Sequence, residues 1–392
     1  MEVKIIKYDH LGNGLGKIDD KVVFVKRALK DEVVDVNIIK TKKSFMIGEV
    51  NDVIKSSPNR IKSICPYYDK CGGCNFLHSL YDEEIDFKKE KAKELLGKVK
   101  KFYETMGLNY RNKVTLHVSG KKVGYYKEKT NQIIDIDYCY LLNNKINNVL
   151  KKLNSYVKEY DHDIHEVVIR TNEKELLMSV VGSVNDDFLD YFKEVDNIII
   201  DNQVLKGNGY LIHNINDYEL KLSANSFYQV NKQGLESIYE IIINYLSKNN
   251  YKTALDLYSG ISMWGILVSN YVEKIISIEE NSSATDDALF NKENNKIDNL
   301  EIINGRVEDH IDKFNNIDLM IIDPPRSGLD NKTKEYLASI KAKNIIYISC
   351  DMFTLQRDLK ELKDIYEIEE INLVDMFKRT YHVESVVMLK LR

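Results

Sequence analysis

A thiol at the carboxyl end of a buried strand is placed to act as a nucleophile. Cys350 follows the β-branched and aromatic run Ile345-Ile346-Tyr347-Ile348 and precedes a turn into the helix-like Thr354-Leu355-Gln356-Arg357-Asp358-Leu359. In an open α/β sheet, ligands and reacting groups collect at that end of the strands. A lone cysteine is more often a small buried hydrophobe, so Cys350 acquires a role only in company. Three further spacings supply it.

Asp256-Leu257-Tyr258-Ser259-Gly260-Ile261-Ser262 sits at a strand-to-helix turn, and Glu279 ends the next strand. An acidic residue about 20 positions after such a turn can take a ribose hydroxyl. A dehydrogenase would want G-x-G-x-x-G, and only Gly260 and Gly265 are present. The acid-x-x-x-Gly form suits S-adenosylmethionine better than NAD. Asp323-Pro324-Pro325-Arg326 then makes a rigid corner at the close of a later strand, since proline fixes its own backbone. Asp375 to Glu384 brings a carboxylate toward the mouth of the same pocket.

Cys65, Cys71 and Cys74 lie within ten residues, with Gly72 and Gly73 between the last two. Their C-x5-C-x2-C spacing is unlike the paired C-x2-C knuckles of zinc ribbons. Thiolates also hold iron–sulfur clusters, usually through four cysteines. Cys139 is the available fourth once Cys350 is set aside, so a [4Fe-4S] cluster ranks ahead of structural zinc.

The elements that must position these groups alternate through the last third of the chain. Strand-like runs fall at 254–258, 274–279, 300–303, 317–323, 345–348, 367–374 and 385–391, with room for helices between the first five. The expectation is an α/β fold: a doubly wound, mostly parallel, Rossmann-like sheet over 223–392 that ends in an antiparallel hairpin. Residues 1–55 alternate as an OB-like β-barrel, a fold that commonly holds single-stranded nucleic acid. Residues 56–222 read as an α+β middle domain carrying the cysteine site, with an amphipathic helix near 81–98 ended by Gly97.

Composition fits these readings. The net charge is -5, yet residues 1–64 hold 13 Lys/Arg against 9 Asp/Glu, leaving a basic front and an acidic body. Such a front permits RNA contact. The first residues are broken by charges, and no apolar run approaches the roughly 18 residues of a membrane span. Five cysteines without a secretion signal argue against a disulfide framework. A cytoplasmic protein, monomeric and without membrane contact, is expected.

Taken together, these motifs resemble those of the RNA 5-methyluridine methyltransferases, in particular the 23S ribosomal RNA (uracil-5-)-methyltransferases with a TRAM domain and an iron–sulfur cluster. The likeness covers nearly the whole chain. It runs through the barrel, the four cysteines and Tyr110-Arg111-Asn112-Lys113, then Ser226-Phe227-Tyr228-Gln229-Val230-Asn231. It continues through Asp323-Pro324-Pro325-Arg326, Ser349-Cys350 and His382-Val383-Glu384. The resemblance implies a class I methyltransferase domain in which Gln229, Tyr258, Glu279 and Asp323 bind the cofactor, Cys350 is the nucleophile and Glu384 the base. It implies Cys65, Cys71, Cys74 and Cys139 as cluster ligands, and a loop or single-stranded uridine in 23S ribosomal RNA as substrate.

The chemistry explains those residue types. Uracil C5 is a poor carbon nucleophile until a thiolate adds to C6. The C5 proton must later leave to a base. Against the family pattern, Ser262 stands where glycine is usual, Arg306 where an acid is frequent and Lys378 where proline is usual. A non-catalytic RNA-binding protein of the same fold is the competing class, and an NAD-type oxidoreductase ranks third.

Overall fold

The computed structural model describes residues 1–392 apart from Lys129. It divides into two compact units. One comprises Met1–Gly97, Tyr126–Ile134 and Phe377–His382; the other comprises Lys98–Tyr125, Asp135–Met376 and Val383–Arg392.

The first unit opens with a six-stranded sheet built from Glu2–Lys4, Lys7–Tyr8, Gly14–Ile18, Lys21–Lys26, Val33–Thr41 and Phe45–Lys55. Its two edge strands are Glu2–Lys4 and Lys7–Tyr8. The two residues between them close it: the Ile5 amide donates to the Glu32 carbonyl at 2.8 Å, and the Ile6 amide to the Leu15 carbonyl at 2.8 Å. Closure removes the open edges that would otherwise template aggregation. The alternation seen in sequence sends Val3, Ile5, Val23, Val25, Val34, Val36 and Met46 into one core.

Helix Tyr81–Leu95 follows. It stops two residues before Gly97, whose φ of +98° is one that residues with a Cβ rarely adopt. On it the Lys88 ammonium meets the Glu84 carboxylate at 2.5 Å with both side chains fully buried. The Arg379 amide also donates to Glu84, at 2.8 Å, which satisfies part of that desolvated charge.

The second unit contains an eight-stranded sheet. Its strands are labelled in chain order: β1 Lys101–Tyr103, β2 Tyr251–Leu257, β3 Val272–Glu279, β4 Leu300–Asn304, β5 Leu319–Ile322, β6 Asn344–Ser349, β7 Tyr366–Val374 and β8 Glu384–Leu391. They lie in the order β4-β3-β2-β5-β6-β8-β7-β1. The five strands β2 to β6 run parallel to one another, whereas β8 is antiparallel to both β6 and β7. Every residue of β5 and β6 is buried, as expected for central parallel strands covered on both faces.

The seven strands read from sequence are all present, with ends shifted by a few residues. The eighth, β1, was not foreseen. Its three residues pair parallel with Asn372–Val374 and are too few to show any periodicity.

Beside this sheet lies the α+β part. Strand Asp163–Thr171 pairs antiparallel with Lys113–Ser119 and with Leu176–Ser183. Helix Asn144–Glu159 buries Ile146, Val149, Leu150, Leu153, Tyr156 and Val157. Among the described residues, no helix is long and apolar enough to cross a membrane.

Candidate active site

The strand register gathers the chemistry at one rim of the sheet. Leu257 is level with Ile278 on one side and Ile322 on the other, Ile322 with Tyr347, and Ser349 with Ser385. Tyr258, Asp323 and Cys350 are therefore the first residues past β2, β5 and β6, and Glu279 is the last of β3. Because β8 is antiparallel, its first residue, Glu384, enters at this same rim beside the exit of β6.

Cys350 is partly exposed. Burial and the neighbouring Glu384 carboxylate push its thiol up to about 11, while Arg326 opposes the shift by charge and by a hydrogen bond to the thiol. Glu384 is 1% exposed, and among the described residues its Oε2 has no hydrogen-bond partner. Burial and the nearby Asp323 hold its carboxyl well above the usual range, and Arg326 counteracts them. Asp323 is itself pushed up to about 6 by burial, against a hydrogen bond from Trp264 Nε1 at 3.3 Å. Cys350, Arg326, Glu384 and Asp323 thus form one electrostatic unit. Groups whose environments shift them this far are the mark of a reacting site.

The shift predicts how the thiol behaves. A thiol titrating near 11 is almost wholly protonated at neutral pH, so alkylation of Cys350 should rise about tenfold per pH unit as pH climbs toward 11. Replacing Arg326 with leucine removes the stabilising cation and should slow alkylation at pH 8 by roughly tenfold. Iodoacetamide labelling read at the Cys350 peptide by mass spectrometry checks both.

The turn after β2 is shaped to receive a ligand. Tyr258, Gly260 and Ser262 have φ of +59°, +55° and +55°, a left-handed region that costs residues with a Cβ roughly 1–2 kcal/mol. At Gly260 a Cβ would meet nothing within 4 Å, so open space borders the backbone there. The Gly260 amide donates to Glu279 Oε2 at 2.8 Å, and the Asn281 amide to Oε1 at 2.8 Å. Each carboxylate oxygen keeps a further lone pair for a ligand hydroxyl.

Below the turn, Asp256 is fully buried and pushed up to about 7 by that burial. Its Oδ2 accepts from the Gly265 amide and the Ser277 hydroxyl, both at 3.0 Å, and Oδ1 has no partner among the described residues. An orphaned buried carboxylate oxygen and an open glycine turn fit a polar cofactor with ribose hydroxyls.

Ser262, the residue out of family pattern, spends its hydroxyl on Ser277 at 2.6 Å. It therefore joins the Asp256 network. A Cβ at Gly265 would lie 2.6 Å from Ser277 Oγ and 2.7 Å from Ser262 Oγ. Gly265→Ala should break this network at a cost of about 1–3 kcal/mol and weaken cofactor binding. Thermal unfolding and calorimetric titration with S-adenosylmethionine measure the two effects.

The remaining expected residues have partners of their own. The Tyr258 hydroxyl donates to Asp330 Oδ2 at 3.1 Å and lies 3.3 Å from Thr333 Oγ1. Gln229 is buried, and its carbonyl accepts from Asn112 Nδ2 at 3.0 Å. The Asn112 amide donates to the Val230 carbonyl at 3.0 Å, so the Tyr110–Lys113 and Ser226–Asn231 motifs meet. Arg306 pairs with Glu308 on the exposed surface. Lys378 Nζ stands 3.2 Å over the Tyr81 ring, within the first unit.

Two functional candidates escaped the sequence reading. Arg326 was visible only as the tail of the acid-Pro-Pro corner. Trp264, the sole tryptophan, gave no signal that its indole would reach Asp323.

Cys65, Cys71 and Cys74 belong to the first unit and Cys139 to the second. Cys139 is held by Asn147, which accepts from its amide at 2.8 Å and donates to its carbonyl at 3.0 Å. Among the described residues, no group of three or more His, Cys, Asp or Glu side chains is placed to hold a metal ion. The iron–sulfur and zinc expectations therefore gain no support from this geometry.

Comparison with known proteins shows the family of the chain. Residues 78–392 match the family described as tRNA (Uracil-5-)-methyltransferase, and residues 1–50 match the TRAM domain. An uncharacterized RNA methyltransferase of Clostridium acetobutylicum is 31% identical, over 99% of this chain and 96% of its own. One from Staphylococcus aureus is 29% identical, over 99% and 97%. Among solved structures, the Pyrococcus abyssi tRNA (uracil-54, C5)-methyltransferase in complex with S-adenosyl-L-homocysteine superposes with a TM-score of 0.83. It is 25% identical and covers 99% of both chains.

Proposed function

Because the chain belongs to the tRNA (uracil-5-)-methyltransferase family and carries a TRAM domain at its front, we propose that it methylates C5 of a uridine in RNA, with 23S ribosomal RNA as the target. The observation that carries this reading is the coupling of Cys350 to Arg326, Glu384 and Asp323 at one strand rim. A metabolic methyltransferase acting on an already nucleophilic atom has no need of a thiol there.

In this reading the Cys350 thiol gives its proton to solvent, the guanidinium of Arg326 stabilising the thiolate left behind, and Sγ adds to uracil C6. The C5–C6 double bond is consumed and an enolate forms, with its negative charge on C5 and O4. S-adenosylmethionine, when bound, supplies an electrophilic methyl group on a positively charged sulfur. Asp323 and Glu279 belong to its binding site, with Gln229 and Tyr258 in support. C5 takes that methyl, and Glu384 then accepts the C5 proton. The returning electron pair restores the double bond and expels the Cys350 thiolate. A carboxyl held above its normal range is matched to such proton transfer near neutral pH.

The target base must leave its stack to reach this rim, which favours a loop or single strand. The basic TRAM barrel, residues 1–55, would hold neighbouring nucleotides. Cys65, Cys71, Cys74 and Cys139 carry no step in this scheme. A cytoplasmic monomer fits it. The solved relative covering 99% of the chain is named as a transfer RNA enzyme, which favours transfer RNA as the second reading.

Mapping 5-methyluridine in a deletion strain tests both. Loss of a site in 23S ribosomal RNA supports the first reading and loss in transfer RNA the second. Loss of neither sinks the activity itself.

A further inference from the structure

A second cavity in the same unit has no share in this chemistry. It is a cleft of about 370 Å³ beside the N-terminus of helix Lys232–Leu246, and none of Cys350, Arg326, Glu384 or Asp323 lines it. That volume is at the lower end of ligand sites, enough for one nucleoside and too small for a helix.

Its wall includes His213, which is 9% exposed and rests against the Tyr228 ring with centroids 4.6 Å apart. Among the described residues, no hydrogen bond reaches either imidazole nitrogen. Burial, with Arg170 and Lys232 adding to it, pushes this histidine down to about 3. It is a neutral ring with one donor and one acceptor to offer. Neither nitrogen is sealed away from the cleft, so both are free to meet a ligand there.

Two amides in the same lining are half committed among the described residues. Asn112 gives Nδ2 to the Gln229 carbonyl and keeps Oδ1 unpaired. Asn143 accepts the Lys145 amide on Oδ1 and keeps Nδ2 unpaired. The charged lining is Lys232, Glu173 and Glu236, with Lys232 3.6 Å from Glu173. One cation against two carboxylates disfavours a phosphate and leaves an uncharged ligand. At the mouth, Met106 is 71% exposed and Leu108 36% exposed, thioether and aliphatic surface suited to a flat ring.

We propose that this cleft takes a second, unstacked base of the substrate RNA, read at its edge by His213, Asn112 and Asn143 and covered by Met106. The inference rests on the RNA methyltransferase reading above. An extruded neighbour of the target would thereby be checked before the target is modified.

The test has two arms. In the first, adenosine, guanosine, cytidine, uridine and inorganic phosphate are titrated separately at millimolar concentration into the full chain, with the His213 imidazole signals followed by NMR. At least one nucleoside is expected to shift them and phosphate is not; a shift with phosphate alone, or with none of the five, overturns the proposal. In the second, His213→Phe and the surface variant Met106→Ser are assayed on RNA from the deletion strain. Both are expected to raise KM for RNA on the order of tenfold while kcat and KM for S-adenosylmethionine stay unchanged. Should His213→Phe fail to fold, Met106→Ser carries this arm. An unchanged KM for RNA, or a fall in kcat alone, overturns the assignment. The underlying activity fails separately, as a wild-type chain that methylates no RNA whatever the nucleoside titration shows.

Discussion

Cys350→Ala is expected to abolish methyl transfer, by roughly 10⁴-fold or more, and to abolish any RNA–protein adduct stable in denaturing gels. The argument starts from the substrate. Without addition at C6, uracil C5 has no electron density to offer a methyl donor, so losing the sulfur removes the reaction path itself. The substitution is small, at a partly exposed position past the end of β6, and should leave the fold and cofactor affinity intact. Radiolabelled methyl transfer and calorimetric titration separate the two effects. A Cys350→Ala protein that methylates uridine at the normal rate would refute the covalent route.

Glu384→Gln should behave in the opposite way. Turnover should fall by about 10²–10⁴-fold, yet the adduct should accumulate because its decay needs the C5 proton removed. The substitution keeps size and shape in a site that is 1% exposed, and it exchanges for an amide a carboxylate whose Oε2 has no hydrogen-bond partner among the described residues. Burial and Asp323 hold this carboxyl above its usual range and the Cys350 thiol is raised as well. Both working forms, carboxylate and thiolate, are therefore favoured as pH rises, and wild-type kcat should climb through the neutral range. A Glu384→Gln protein that turns over without adduct would remove Glu384 from the proton step.

The parts of this site legible in sequence were those tied to regular elements. Cys350 and Asp323 announce themselves because each ends a continuous apolar run, and a buried parallel strand has few other ways to be written. Glu279 is visible for the same reason. What stayed hidden depends on distance across the sheet. Nothing in residues 263–267 shows that the Trp264 indole reaches Asp323, 59 positions away in sequence. The short strand Lys101–Tyr103 is a strand only because Asn372–Val374 offers it an edge. Ser262 looked disruptive where glycine was expected, yet its hydroxyl bonds Ser277, a partner that only the parallel pairing of β2 and β3 supplies. The cleft at His213 was equally unreadable, since its walls come from five separate stretches of chain.

One topological detail bears on when the protein becomes competent. β8 is inserted between β6 and β7, both of which precede it in the chain. In the native order those two are not neighbours, and the place between them is filled only by residues 384–391, made after both. The nucleophilic thiol at the end of β6 is therefore made and placed before the carboxylate that faces it, and the site is completed only by the strand that arrives last.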